Sequence, residues 1–285
     1  MSEYAVKTST TKETSTSRPK SQIREYTEAG LVALIAALLL RTFVVQAFRI
    51  PTGSMKDTLL IGDFLLVNKF VYGARTPDGI PFTDILLPFW RLPALKEPER
   101  GEIVVFKYPR DAKLDYIKRC LAVAGQTVEV RDGFAYVDGE PEGQSEFVKK
   151  EYDSQEGHYI LYYNITMKNG QVYTIRHYAD HHLLSENFDP VRVPARGEPI
   201  PEEFKDDPSW LQLYDRDRNG RYDSDQYFMM GDNRDNSADS RVWGFLPGRN
   251  VVGEAMVIYW SWDADEPLHK FLSKVRWARI GNLIK

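Results

Sequence analysis

The chain has 285 residues, of which 42% are hydrophobic and 27% charged, with a formal net charge of −4. That length leaves room for two compact units and an anchor, the composition is that of a folded, water-soluble body, and the acidic balance excludes the basic stripe of a nucleic-acid binder. A single cysteine, Cys120, cannot close an intrachain disulfide and leaves both oxidising and reducing compartments open.

Residues 1–28 are rich in Ser, Thr and Lys and nearly free of apolar side chains. Such a leader cannot bury enough surface to offset the entropy of ordering and is expected to be disordered. Residues 29–48 read AGLVALIAALLLRTFVVQAF, about the length a helix needs to cross a ~30 Å hydrocarbon core. A transmembrane helix is predicted there, with a start as early as Ile23 also open. Arg41 interrupts it, and a charge at a helix centre costs ~2.5–3.5 kcal/mol on insertion. It falls in the second half, where its stem can reach the nearer headgroups. A buried core helix and a cleaved signal peptide ending at Val45-Gln46-Ala47 are the alternatives. The long polar leader and the motif directly after Phe48 favour an uncleaved anchor. Lys7, Lys12, Arg18, Lys20 and Arg24 precede the anchor, whereas mainly Arg49 and Lys56 follow it. This bias puts the N-terminus inside and the main body outside.

From residue 49 onward, short alternating or apolar runs are broken by Gly, Pro and Asp. Examples are Gly62-Asp63-Phe64-Leu65-Leu66-Val67, Gly101-Glu102-Ile103-Val104-Val105-Phe106, Thr127-Val128-Glu129-Val130 and Val251-Val252-Gly253-Glu254-Ala255-Met256-Val257. Runs at this spacing predict a mainly β, antiparallel body, with Asp138-Gly139 as a tight hairpin turn. Residues 140–225 differ: they are polar and rich in Asp, Glu, Tyr and Pro, as expected of an accessory β unit inserted into a catalytic domain formed by 49–139 and 226–285. The basic C-terminal segment, 270–285, either packs on the body or touches headgroups.

Four segments carry the chemistry. They are Pro51-Thr52-Gly53-Ser54-Met55 with Thr58-Leu59; Gly62-Asp63 through Val67-Asn68-Lys69-Phe70; Arg100-Gly101-Glu102-Ile103-Val104-Val105-Phe106 with Tyr116-Ile117-Lys118-Arg119; and Gly231-Asp232-Asn233-Arg234-Asp235-Asn236-Ser237-Ala238-Asp239-Ser240-Arg241 with Trp243-Gly244. In this order, after an anchor, the chain resembles the bacterial type I signal (leader) peptidases, membrane-bound serine proteases. The last box is the most specific of the four, and the resemblance rather than the spacing supplies the pairing of serine and lysine.

The resemblance implies that Ser54 is the nucleophile and Lys118 the general base. Ser237 would orient the lysine amine, the Ser54 N–H and Thr52 hydroxyl would form an oxyanion hole, and Asp239 and Arg241 would brace the site. A surface ion pair worth under ~1 kcal/mol is the alternative for those two. Ile50, Pro51, Leu59, Tyr116 and Ile117 would line shallow apolar pockets for small residues at the cleavage site. No metal and no organic cofactor is implied. The implied partners are secretory preproteins with signal peptides and membrane lipid. The implied enzyme is a monomer, single-pass in the bacterial cytoplasmic (inner) membrane, with its catalytic domain on the outer (periplasmic) side.

The chemistry is consistent with this. A serine hydroxyl is a poor nucleophile until a base takes its proton, and a lysine serves only when neutral. Lowering its pKa from about 10.4 to about 8 requires roughly 3 kcal/mol, which desolvation can supply. In a strand, Lys118 shares its face with Tyr116 and Cys120, while Ile117, Arg119 and Leu121 face the other way. His158, His177, His181, His182 and His269 all lie outside the motif-bearing segments, so a Ser-His-Asp triad has little support. Ser54 stands six positions beyond Phe48, which keeps the hydroxyl within about 20 Å of the anchor's end.

Departures and rivals sharpen the reading. Asp57 stands where the family usually has proline after Ser-Met-x, losing a stiffener, and Val123-Ala124-Gly125-Gln126 replaces a frequent Leu-Pro-Gly-Asp. A β-lactamase-type Ser-x-x-Lys fails because position 57 is Asp. His177-x-x-x-His181 lacks the zincin glutamate, Tyr178 standing in its place. Asp215-x-Asp217-x-Asn219-Gly220 has part of a calcium-loop pattern, with Gln226 where the bidentate glutamate belongs. A self-cleaving repressor-type protease needs a DNA-binding module, and a non-catalytic membrane-tethered adaptor predicts that Ser54 and Lys118 are dispensable.

Overall fold

The computed structural model describes residues 22–76, 89–180, 187–263, 266–267, 269 and 271–284. Of the leader expected to be disordered over 1–28, residues 1–21 lie outside the described residues, as do His181 and His182, whereas residues 22–28 are helical. The chain forms two units that divide between Leu40 and Arg41.

The first unit is the helix α1, which begins at Gln22; the helix as a whole runs Gln22–Phe43. Leu31, Val32, Leu34, Ile35, Leu38 and Leu40 are all exposed, so the helix is apolar around its circumference. Among the described residues, no helix is long and apolar enough to cross a membrane. The uncharged run between Glu28 and Arg41 is only about 18 Å long at 1.5 Å per residue, short of the ~30 Å core. The helix expected over 29–48 is also displaced. It starts earlier, and Val45–Arg49 is instead strand β1, paired antiparallel with β2, Asp63–Asn68. The alternation Val45-Gln46-Ala47-Phe48 fits a pleat, and a partner strand satisfies its backbone better than an extended helix end would.

The second unit is built from antiparallel sheets, as the run spacing predicts. Its further strands are β3 (Ile103–Tyr108), β4 (Asp111–Val123), β5 (Thr127–Arg131), β6 (Phe134–Val137), β7 (Glu140–Pro141), β8 (Gln144–Asp153), β9 (His158–Thr166), β10 (Val172–Tyr178) and β11 (Phe188–Arg192). Helix α2 (Pro208–Tyr214), strand β12 (Gln226–Met230), helix α3 (Ser240–Trp243), and strands β13 (Leu246–Pro247) and β14 (Val251–Ser261) follow. One sheet has seven strands in the order β1-β2-β14-β3-β4-β12-β13, a second the order β10-β9-β8, and a third β11-β5-β6-β7. Strands β7 and β11, both from the polar stretch 140–225, thus flank the β5–β6 hairpin, while β8–β10 form a sheet of their own.

Strand β3 explains how the large sheet carries core on both faces. Ile103 and Val105 pack with Ile50, Met55, Leu59 and Leu65. Val104 and Phe106 pack with Cys120, Met229 and Trp243. Successive side chains point to opposite faces, and each aliphatic buried this way contributes about 1.5–3 kcal/mol. Register places Lys118 opposite Val104 and Tyr116 opposite Phe106.

Candidate active site

Ser54 sits in the turn that follows β1, between Ile50, whose N–H bonds to the Asp63 carbonyl, and Leu59, whose N–H bonds back to the Met55 carbonyl. The apolar side chains of Ile50, Met55 and Leu59 are buried in the first core cluster, which fixes the turn from below. Lys118 lies mid-strand in β4. Its Nζ is 2.6 Å from Ser54 Oγ, across 64 residues of sequence, and donates to the Ile117 carbonyl at 3.0 Å. A charged amine donates to the hydroxyl across that distance, whereas a neutral one accepts its proton. Lys118 is only 4% exposed and Ser54 9%. The amine also lies 5.4 Å from the Tyr116 ring, itself stacked on Tyr108 at 4.5 Å.

Burial pushes the Lys118 amine down to about 8, with Asp239 and then Asp232 working the other way and Arg241 assisting. The cause is desolvation of the charged form. The two carboxylates cannot offset it, because each is already engaged by its own arginine. Arg241 grips Asp239 with Nε and Nη2, both at 2.8 Å, and that aspartate also accepts the Gly231 N–H at 3.0 Å. Burial alone would raise the Asp239 carboxyl; the Arg241 guanidinium beside it holds it below the usual range. Both side chains are buried, so the pair is no surface ion pair. Arg119 Nε and Nη2 likewise grip Asp232 at 2.9 and 2.7 Å, and the Thr58 hydroxyl donates to the same carboxylate at 2.6 Å.

The other expected site residues divide. Ser237 is buried, but its hydroxyl makes no hydrogen bond to the Lys118 amine. It packs over Gly231, where an added Cβ would stand 2.3 Å from Ser237 Oγ and 2.4 Å from the Ser54 carbonyl oxygen, and it helps hold down the Asp239 carboxyl. Thr52 and Pro51 are exposed beside the serine, and Tyr116 and Ile117 are half-buried. Ile50 and Leu59 have essentially no open surface, so neither can itself line a substrate pocket. Asp57 adopts φ 77, a backbone that proline, fixed near −65°, cannot take.

For the rival sites, His181 lies outside the described residues, and the described partners are engaged otherwise. Neither ring nitrogen of the buried His177 makes a hydrogen bond; Nδ1 lies 3.6 Å from Asp235, and the ring packs on Phe134. The two Asp215 carboxylate oxygens accept the Asn219 and Gly220 N–H groups, and Asp223 is paired with Arg249. Among the described residues, no group of three or more His, Cys, Asp or Glu side chains is arranged to hold a metal ion.

Sequence reasoning missed several buried polar groups around the serine. The Asn233 N–H donates to the Ser54 carbonyl and its side-chain amide to the Gly53 carbonyl, both at 3.1 Å. Arg234 pairs with Glu142 through two contacts of 2.6 Å, and Tyr173 donates to the same carboxylate. The signal was present as charges within boxes bounded by apolar strands; their partners lie far away in sequence.

An antiparallel β body that buries a serine hydroxyl against a desolvated amine has the makings of a serine hydrolase. Residues 23–260 match the model of a family described as signal peptidase, peptidase S26. A signal peptidase I of Pseudomonas aeruginosa is 34% identical over 268 residues, covering 90% of this chain and 78% of the relative. One from Aquifex aeolicus is 33% identical over 248 residues, 80% of each chain. A crystal structure of a signal peptidase I from Enterococcus faecalis is matched at 23% identity over 56% of this chain and 97% of that one, but with a TM-score of 0.26 it carries no argument. The chain belongs to the signal peptidase S26 family: it is a serine endopeptidase that removes signal peptides from secretory preproteins.

Proposed function

We propose that cleavage proceeds through a Ser54–Lys118 dyad, and the observation that carries this reading is the 2.6 Å contact between a buried amine and a buried hydroxyl. As Ser54 Oγ attacks the scissile carbonyl carbon, the neutral Lys118 amine takes its proton. The ammonium then returns that proton to the departing α-amine, leaving an acyl-serine ester. Lys118 next deprotonates a water that attacks the ester, and the collapsing intermediate releases the signal peptide and restores the hydroxyl. With the amine lowered to about 8, about a tenth of the molecules carry it neutral at pH 7.

The Ser54 N–H and the Thr52 hydroxyl serve as oxyanion donors. Asp239 and Arg241 brace the lysine side of the site, and Ser237 fills the space beside them. Pro51, Tyr116 and Ile117, backed by Ile50 and Leu59, present shallow apolar walls that admit Ala-sized residues and reject larger ones by volume. In this reading α1 is a lipid anchor, supported by its exposed aliphatic circumference and by the basic residues before it. The excess of basic residues before it favours the outer (periplasmic) side of the bacterial inner membrane for the body.

The test uses purified full-length chain in detergent and one preprotein. Ser54→Ala and Lys118→Ala are expected to abolish cleavage while circular dichroism shows folded protein, and sequencing of the product is expected to place the cut after a small residue. Cleavage by either variant at the parent rate would refute the dyad. Co-flotation of the chain with liposomes, lost in a Leu34→Arg, Leu38→Arg double variant, checks the anchor.

A further inference from the structure

The three-stranded sheet β8–β10 has no role in the chemistry above, yet it ends against the nucleophile turn. Asp153 closes β8, Glu156 lies in the turn to β9, and Arg176 is in β10. Lys56 Nζ, two residues past Ser54, donates to Asp153 at 2.6 Å and to Glu156 at 3.1 Å. Arg176 donates to Asp153 at 2.9 Å and lies 3.5 Å from Glu156 and 3.6 Å from Asp57. Its side chain is 1% exposed. Five charges, Lys56 and Arg176 against Asp57, Asp153 and Glu156, therefore meet at the exit of the turn.

The same strand also reaches the turn through the main chain. The Arg176 N–H bonds to the Asp232 carbonyl, and its own carbonyl accepts the Arg234 N–H, both at 3.0 Å. Between these two residues stands Asn233, which holds the Ser54 and Gly53 carbonyls. One arginine thus supports the turn from both sides, by its backbone through Asn233 and by its guanidinium through Asp57 and Asp153. The local backbone makes such support necessary. Asp57 is in the left-handed region at φ 77, so the covalent stiffness of a proline ring is unavailable at this position.

We infer that the β8–β10 sheet is the positioning device of the nucleophile: through Arg176 and Asp153 it fixes Lys56 and Asp57 and so aims Ser54 Oγ at Lys118. The inference rests on the dyad reading. Arg176 and Asp153 act through other residues and touch neither reacting atom. A displacement of about 1 Å at a reacting group can cost on the order of a hundredfold in rate, whereas the apolar substrate walls lie outside this charge cluster. Loss of the support therefore lowers kcat and spares KM.

The test compares Arg176→Ala, Arg176→Lys, Asp57→Pro and Asp57→Gly in the full-length enzyme, with Ser54→Ala as reference and thermal melts to monitor folding. Arg176→Ala is expected to lower kcat about tenfold or more with KM within twofold, and Arg176→Lys to recover most of the loss. Asp57→Pro is expected to lose more than Asp57→Gly, which keeps the left-handed backbone and drops only the carboxylate. Unchanged kcat in Arg176→Ala beside an inactive Ser54→Ala would overturn the positioning role and leave the dyad standing. A rise in KM at constant kcat would reassign the cluster to substrate binding. If Arg176→Ala does not fold, equal losses in the two Asp57 variants overturn the inference. An active Ser54→Ala overturns the dyad itself.

Discussion

Replacing Lys118 with methionine should destroy activity and strengthen the fold, and the size of the gain follows from the site. The amine is lowered from 10.5 to about 8 by burial, a displacement equivalent to roughly 3 kcal/mol. Below pH 8 both folded and unfolded chains hold the proton, so the folded state bears the whole cost of a buried ammonium. Between about 8 and 10.5 the unfolded chain binds more protons than the folded one, and stability rises with pH. Above that window the cost is gone. Methionine fills a similar volume without the charge but forfeits the contacts to Ser54 and the Ile117 carbonyl, together about 2 kcal/mol. The net expectation at pH 7 is a gain of about 1 kcal/mol, or a melting temperature higher by ~2–4 °C, reversing near pH 11. Urea or thermal unfolding of the full chain in detergent at the two pH values measures it. Parent and variant differ only at position 118, so the pH-dependent part of the gap between them reports Lys118. A methionine variant no more stable than the parent at pH 7, or a gap indifferent to pH, would refute the claim that the lysine is held in a dry site.

Cleavage by the parent enzyme should rise with pH, with kcat/KM half-maximal near 8, and Lys118→Arg should be inactive throughout because a guanidinium does not deprotonate; a pH profile flat from about 6 to 9 contradicts this. Glu142→Gln should cost about 3–5 kcal/mol in urea unfolding, because it leaves the buried Arg234 without its counter-charge. The Glu142 carboxyl is below its ordinary 4.5, burial being outweighed by Arg234. Its stabilisation is accordingly complete above that value and is lost as pH falls through the depressed one, which acid titration of the parent and Gln variant compares. Gly231→Ala should lower cleavage tenfold or more together with the melting temperature, since its methyl would meet Ser237 and the Ser54 carbonyl at 2.3 and 2.4 Å. Gly139→Ala, at φ 81 in open space, should cost about 1 kcal/mol and leave cleavage unchanged.

What the sequence disclosed and what it hid follow one physical division. Features set by neighbours along the chain were legible: alternation marked the strands, and Asp138-Gly139 turns between Val137 and Glu140 as a two-residue hairpin. The end of α1 was misjudged because Val45–Arg49 answers to strand β2, which no window over residues 29–48 contains. The buried state of Lys118 was half legible. Tyr116 and Cys120 on its face announced an apolar strand surface, but the closing of that surface by the Ser54 turn spans 64 residues, and only resemblance to a family connected the two. Ser237 shows the limit of such borrowing, since a matched position fixes the residue's neighbourhood and leaves the direction of its hydroxyl to local packing. Asn233, Asp153 and Arg176 were illegible for a stronger reason. Their partners are set by an isolated parallel bridge between Arg176 and Asn233, a contact with no periodicity and no spacing rule. Charged residues in polar segments ordinarily read as solvated surface, and here topology, not local pattern, takes them out of water. Buried charge at full pairing is costly to assemble and strongly destabilising to break. A chain that gathers three guanidiniums, two amines and several carboxylates around one serine has therefore made the geometry of that serine depend on segments far from it, which is why the site cannot be understood from its own box alone.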